Sequence, residues 1–230
     1  MTGRARDGGA GGPTKYDAPG RADRYDRRSP RRNAEEAALL LRLLSKATPR
    51  PEDVLDAPCG TGRVSALLLD EGFPVRAADL SPAMRGKAAR ALEGRAGFLG
   101  VHALDLRDPR PPGALVADLV VCFRFLHHVE GAAGRARVLA ALSALARRHV
   151  LVSFFHPVSA HAAARALRRV ATGRRGDRHA VTLSRLRAEA RAAGLRLVAS
   201  DALGRYRRDL WVALFTKETA PAPRRAARGS

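Results

Sequence analysis

The sequence predicts an α/β protein built on a mainly parallel sheet with helices wound on both faces. Three observations predict it. Short apolar segments alternate with helix-patterned ones through most of the chain. One of them, residues 54–57, runs into Pro58-Cys59-Gly60-Thr61-Gly62, a glycine turn between a strand and a helix. The last two apolar segments have no helix between them, only the short polar link GRYRRD, so the final strand must run antiparallel to its neighbour.

The elements follow in order. Asn33 caps a helix to about residue 46, with Leu39, Leu40, Leu43 and Leu44 on one face. Residues 54–57 form a strand, and 62–71 a helix ended by Gly72. A second strand covers 74–78. Ser81 then caps a helix whose first turn holds Pro82. The third strand is 98–104, and the fourth, 118–125, is apolar enough to be buried on both faces. A helix over 134–147 leads to a fifth strand at 149–155. Helices over 160–170 and 183–193 precede the last strands, 195–202 and 210–216.

The chain of 230 residues accommodates one domain, 33–216, between two polar tails. Residues 1–32 are rich in Gly, Pro, Arg and Asp and bury too little to offset their ordering entropy, so disorder is expected there and over 217–230. The formal charge is +20, but lysine occurs only at Lys15, Lys46, Lys87 and Lys217. Arginine excess beside abundant alanine is the mark of a GC-rich genome, and does not by itself demand a nucleic-acid partner. No apolar run reaches the ~18 residues of a membrane span. The N-terminal MTGRARDGGAGGPT has no apolar core, so no secretory signal and a cytoplasmic protein are expected. Cys59 and Cys122 are too few for a disulfide framework, lack metal-ligand spacing, and read as buried packing on adjacent strands.

In a doubly wound sheet ligands sit at the carboxyl ends of the strands. Gly60 and Gly62 let backbone approach a ligand there, and Asp79, ending the second strand, can accept both hydroxyl hydrogens of a ribose. The site therefore wants a nucleoside. The run GTGRVS places Ser65 where a dinucleotide fingerprint needs Gly or Ala, which disfavours a nicotinamide oxidoreductase.

Asp56-Ala57-Pro58-Cys59-Gly60-Thr61-Gly62, with the acid in RAADLSPAM and the later ALDL, resembles the class I S-adenosylmethionine-dependent methyltransferases of small-molecule type. The resemblance covers roughly residues 33–216. It implies a Rossmann-like seven-stranded sheet of order 3-2-1-4-5-7-6 with strand 7 antiparallel, and S-adenosyl-L-methionine as cofactor. It further implies that Gly60 and Gly62 line the methionine end, with Asp56 anchoring the loop near the methionine amine. Asp79 would hold the ribose hydroxyls and Leu80 pack on the adenine. Asp105 would accept from the adenine amino group beside Leu106, and Phe123 offer backbone to the methionine end. Pro58 replaces the family's first glycine and gives no N–H. A tyrosine ahead of the first helix closes over the cofactor in several such enzymes, which points to Tyr25 before Tyr16.

The acceptor site is expected in CFRFLHHVEG, after the fourth strand. His127 and His128 form the only adjacent histidine pair, and either can take a proton as the methyl arrives. His127 is favoured slightly; the alternative is that one caps a helix and the other packs beneath it. No N-P-P-Y or D-P-P-Y run and no paired cysteines mark a nucleic-acid-modifying branch. Arg165, Arg168, Arg169, Arg174, Arg175 and Arg178 make a basic patch suited to an acidic substrate group, an anionic membrane surface or RNA, or else a solvated face. The expected acceptor is a small or lipid-like metabolite, methylated on O, N or C. The alternatives are ribosomal or transfer RNA as acceptor, and a non-catalytic cofactor-binding partner subunit.

Overall fold

The computed structural model describes residues 30–108, 110–159, 164, 179–204 and 209–218. Residues 1–29 with Tyr16 and Tyr25, the expected helix over 160–170 apart from residue 164, the Arg165–Arg178 patch and residues 219–230 lie outside them. Strands β1 (Val54–Asp56), β2 (Val75–Asp79), β3 (Phe98–Ala103), β4 (Ala117–Cys122), β5 (Ala146–Phe155), β6 (Leu195–Ala202) and β7 (Leu210–Lys217) form one sheet in the order 3-2-1-4-5-7-6. Strands β1 to β5 pair in parallel, and β7 lies antiparallel between β5 and β6, as expected.

The helices divide between the two faces. Helices α1 (Pro30–Leu44), α2 (Arg63–Asp70) and α3 (Pro82–Leu92) cover one, packing Leu39, Leu40, Leu68 and Leu92 against Val54, Val75 and Leu119. Helices α4 (Gly131–Leu145) and α5 (Leu183–Ala192) cover the other, packing Val138, Leu142 and Leu186 against Leu55, Val120 and Val152. Coverage on both sides is why β1 and β4 are buried at every residue.

Several boundaries differ from expectation for local reasons. Helix α1 takes in residues 30–32, assigned above to the tail, so Asn33 is inside the helix and caps nothing. Proline suits a first helical turn, and Arg31–Glu35 and Arg32–Glu36 pair one turn apart at 3.3 Å. Strand β4 stops at Cys122, short of residue 125, because Arg124 adopts a left-handed φ of 59° and turns the chain. Helix α4 starts at Gly131 and runs without a loop into β5, which begins at Ala146. Ser81 caps α3 as expected, accepting from the Met84 N–H at 3.3 Å.

Both edge strands are irregular. Leu99 and Gly100 of β3 face one residue of β2, and Val198 of β6 is an extra residue against β7. Leu99 and Val198 are 45% and 41% exposed.

Glu36 fastens α1 to the sheet. Its fully buried carboxylate accepts from Arg124 Nη1 at 2.7 Å and Arg63 Nη2 at 3.0 Å, with Arg32 Nε at 3.3 Å. Arg124 follows β4 and Arg63 opens α2, so one side chain joins three elements. Removing it strands buried guanidinium charge. We expect Glu36→Ala to cost about 3 kcal/mol in urea unfolding; a loss below ~0.5 kcal/mol, the usual surface range, would show that apolar contacts alone hold α1.

Candidate active site

A cavity of about 780 Å³ opens at the carboxyl ends of β1 to β4. Its floor is the turn after β1. There the Cys59 N–H donates to the Ala78 carbonyl at 2.8 Å, and the Gly60 N–H to Asp79 Oδ2 at 2.9 Å. Gly60, with φ 56°, lies on the cavity wall beside Pro58. Gly62 does not. At φ 87°, a Cβ there would come within 3.3 Å of the Ala88 Cα and 3.2 Å of Leu92 Cδ1. Packing of α2 on α3 alone requires a glycine at this position, and Gly62 is not among the residues that line the cavity.

Asp79 lies on the wall and holds the turns on either side of it. Oδ2 takes the Gly60 N–H, and Oδ1 the Ser81 N–H, also at 2.9 Å. Leu80 lines the cavity next to it, its carbonyl fixed by Arg85 Nη1 at 2.7 Å. Across the opening stand Asp105 and Leu106. Partial burial works against charge on Asp105, but hydrogen bonds from Arg107 prevail and hold its carboxyl below the ordinary range. Arg107 grips it with Nε on Oδ1 at 2.9 Å and Nη2 on Oδ2 at 3.0 Å. Phe123 completes the wall beyond β4, with the Arg63 guanidinium 5.8 Å from its ring centre.

The two histidines take different places. Residues Leu126–His128 form a 3₁₀ turn, in which successive side chains diverge by roughly 120°. His128 reaches the cavity wall. His127 is buried and stacks on Phe155 with ring centres 4.1 Å apart. Of the two rings, that of His127 packs in the core and is not among the lining residues.

Asp56 is also off the wall. It is fully buried behind the glycine turn, with Oδ2 accepting from Ser65 Oγ at 2.6 Å. Burial pushes its carboxyl up to about 7, against the opposing influence of the Ser65 hydrogen bond and the Arg63 charge. Burial also pushes the Cys59 and Cys122 thiols up, consistent with inert packing.

The structure thus gathers Pro58, Gly60, Asp79, Leu80, Asp105, Leu106, Phe123 and His128 around one space. Arg63, Arg107, Arg124 and Arg137 also line it and were not anticipated. For Arg107 the signal was present, two residues after Asp105; for Arg124 it lies in a backbone conformation that no residue pattern announces. A wall pairing two carboxylates with Leu80 and Leu106 fits a nucleoside. Among the described residues no cluster of His, Cys, Asp and Glu could hold a metal ion. No helix among them is long and apolar enough to cross a membrane.

The sequence model of the family described as Methyltransferase domain matches residues 25–200. No curated protein matches the chain. Among solved structures, the chain resembles magnesium protoporphyrin IX methyltransferase from Synechocystis PCC 6803 with bound SAH. The TM-score is 0.68 at 19% identity, covering 88% of this chain and 96% of that one. The CcbJ methyltransferase from Streptomyces caelestis gives a TM-score of 0.63 at 19% identity, covering 86% and 96%. An S-adenosylmethionine-dependent methyltransferase from Clostridium acetobutylicum gives 0.62 at 12% identity, covering 89% and 96%. At these identities the structural likeness is one of fold. The family match spans most of the chain and meets the sheet order and glycine turn described above, and so the chain belongs to the methyltransferase-domain family of class I S-adenosylmethionine-dependent enzymes.

Proposed function

We propose that this enzyme moves a methyl group from S-adenosylmethionine to oxygen, nitrogen or carbon of a small molecule. The observation that supports the reading is that Asp79, Leu80, Asp105 and Leu106 line the same cavity as Gly60. When bound, the cofactor supplies a methyl carbon already activated by a sulfonium centre. Asp79 then accepts the ribose hydroxyl hydrogens. Leu80 and Leu106 enclose the adenine, and Asp105 accepts from its amino group while Arg107 fixes the carboxylate. Pro58, Gly60 and Phe123 bound the methionine end, and Tyr25 is the candidate to cover it. The protein's share of catalysis is to hold an acceptor in line with the reactive methyl at about 3–3.5 Å, which is proximity and orientation.

His128 is the candidate general base, because it is the histidine on the cavity wall. A small acceptor agrees with a cavity of about 780 Å³, and with the small-molecule substrate named for the magnesium protoporphyrin IX methyltransferase. Lipid-like metabolites belong to the same class. RNA as acceptor has the net charge in its favour and no aromatic stacking platform in the Arg165–Arg178 segment.

Methyl-labelled S-adenosylmethionine, added with the enzyme to a fractionated lysate, should label the small-molecule or lipid fraction; label in RNA would overturn the acceptor class. Asp79→Ala should weaken cofactor binding at least ~10-fold by calorimetry, since it loses a ligand acceptor and frees the Gly60 and Ser81 amides. Unchanged affinity would sink the ribose assignment. His128→Ala should lower kcat by ~10²-fold or more with cofactor affinity kept. His127→Ala should instead lower the unfolding midpoint, through lost packing on Phe155, and the opposite partition would return the base to His127.

A further inference from the structure

Four arginines line the cavity, and carboxylates of the protein take three of them. Arg107 is forked on Asp105, while Arg63 and Arg124 share Glu36. Arg137 differs: among the described residues it makes no hydrogen bond or ion pair. It stands on α4, the helix that follows the loop carrying His128. Residues 130, 134 and 137 all line the cavity, at a spacing that puts them along one side of that helix. A helical side chain leans toward the N-terminus of its helix, so Arg137 leans over Gly134 toward the loop. Gly134 leaves that path bare; a Cβ there would meet Val129 Cγ1 at 3.0 Å. Phe125, His128 and Val129 of the loop line the same cavity.

Two considerations set the sign of the ligand that Arg137 awaits. Among the described residues, the carboxylate on this part of the wall is Glu130, the N-cap of α4, where the helix dipole already favours a negative charge. No such compensation reaches Arg137, two turns along. The methyl donor, with a sulfonium, an ammonium and a carboxylate, adds net positive charge to the same space, and an anionic acceptor answers both. This inference rests on the methyltransferase reading above and names its acceptor class. We infer that Arg137 is a specificity-determining residue, whose guanidinium takes a carboxylate or phosphate group of the acceptor. The apolar body of that acceptor lies against Phe125 and Val129, and its nucleophilic atom faces His128. The anionic group is a handle and does not react. The nucleophile forms the new bond to the methyl carbon, the C–S bond pair stays on sulfur, and the proton of a hydroxyl or amine passes to His128.

The probe is a low-mass extract of the source cells, freed of protein and RNA and split on an anion exchanger before any reaction. The full chain and methyl-labelled S-adenosylmethionine are then added to each part. Label should enter compounds of the retained, anionic part. Label entering compounds of the unretained part overturns the role of Arg137 and leaves the methyltransferase reading standing. Label in neither part, with S-adenosylmethionine bound by calorimetry, overturns the small-molecule acceptor as well. Label that alkali releases as methanol shows that the anionic group was itself methylated, and overturns its part as a handle. With the retained part as acceptor, Arg137→Gln should slow methylation at limiting acceptor at least ~10-fold, the loss of one charged hydrogen bond. Its rate should recover as that part is concentrated, and its cofactor affinity should be kept. Arg137→Lys, which preserves the charge, should restore part of the rate. An Arg137→Gln variant as fast as the unmodified protein overturns the inference.

Discussion

A carboxylate taken out of water must find its counter-charges within the fold, and Glu36 finds them on elements far apart in sequence. Arg63 begins the helix after the glycine turn, and Arg124 sits where the chain leaves β4. Both arginines line the cavity. Satisfying one buried anion therefore ties the start of α2 to the turn that leaves β4, both of them at the cavity. Helix α1 is not decoration around a core that could stand without it. Its Leu39, Leu40 and Leu43 supply the apolar contact, and its one buried charge supplies the register.

The same economy recurs at the turn itself. Asp79 holds the Gly60 and Ser81 amides before any ligand arrives, so the floor and the second strand end are shaped in advance. Asp105 is likewise held in a fork by Arg107. A site whose carboxylates are positioned by the protein loses less freedom on binding than one that must order them. The two glycines of the turn take different places: Gly60 lies on the cavity wall, and Gly62 lets two helices approach.

Most of the architecture was legible because it follows from period and punctuation. Ser81-Pro82 marked a helix start, Gly72 a helix end, and the missing helix before residue 210 an antiparallel strand. The strand order itself came with the motif resemblance, since periodicity alone cannot order strands. What stayed hidden depends on tertiary contact. Nothing near Glu36 says that it is buried, because a glutamate at that spacing is equally at home in solvent. Nothing in the pair His127-His128 says which ring faces the cavity, because the answer depends on a single 3₁₀ turn and on Phe155 twenty-eight residues away. Gly60 and Gly62 looked alike in the sequence because every use of glycine gives the same letter.

The irregular edges of the sheet bear on something other than catalysis. An open sheet ends in two rows of unpaired N–H and C=O groups, and a flat edge is a template for another chain. Here β3 bulges at Leu99-Gly100 and β6 at Val198. Each bulge breaks the hydrogen-bond repeat that an incoming strand would need. The cost is that Leu99 and Val198 are pushed toward solvent, two of the three large apolar side chains most exposed among the described residues. With a bulge at each edge the seven strands offer a poorer template for an eighth, and regularising either bulge would trade a small gain in pairing for a flatter, more adhesive edge.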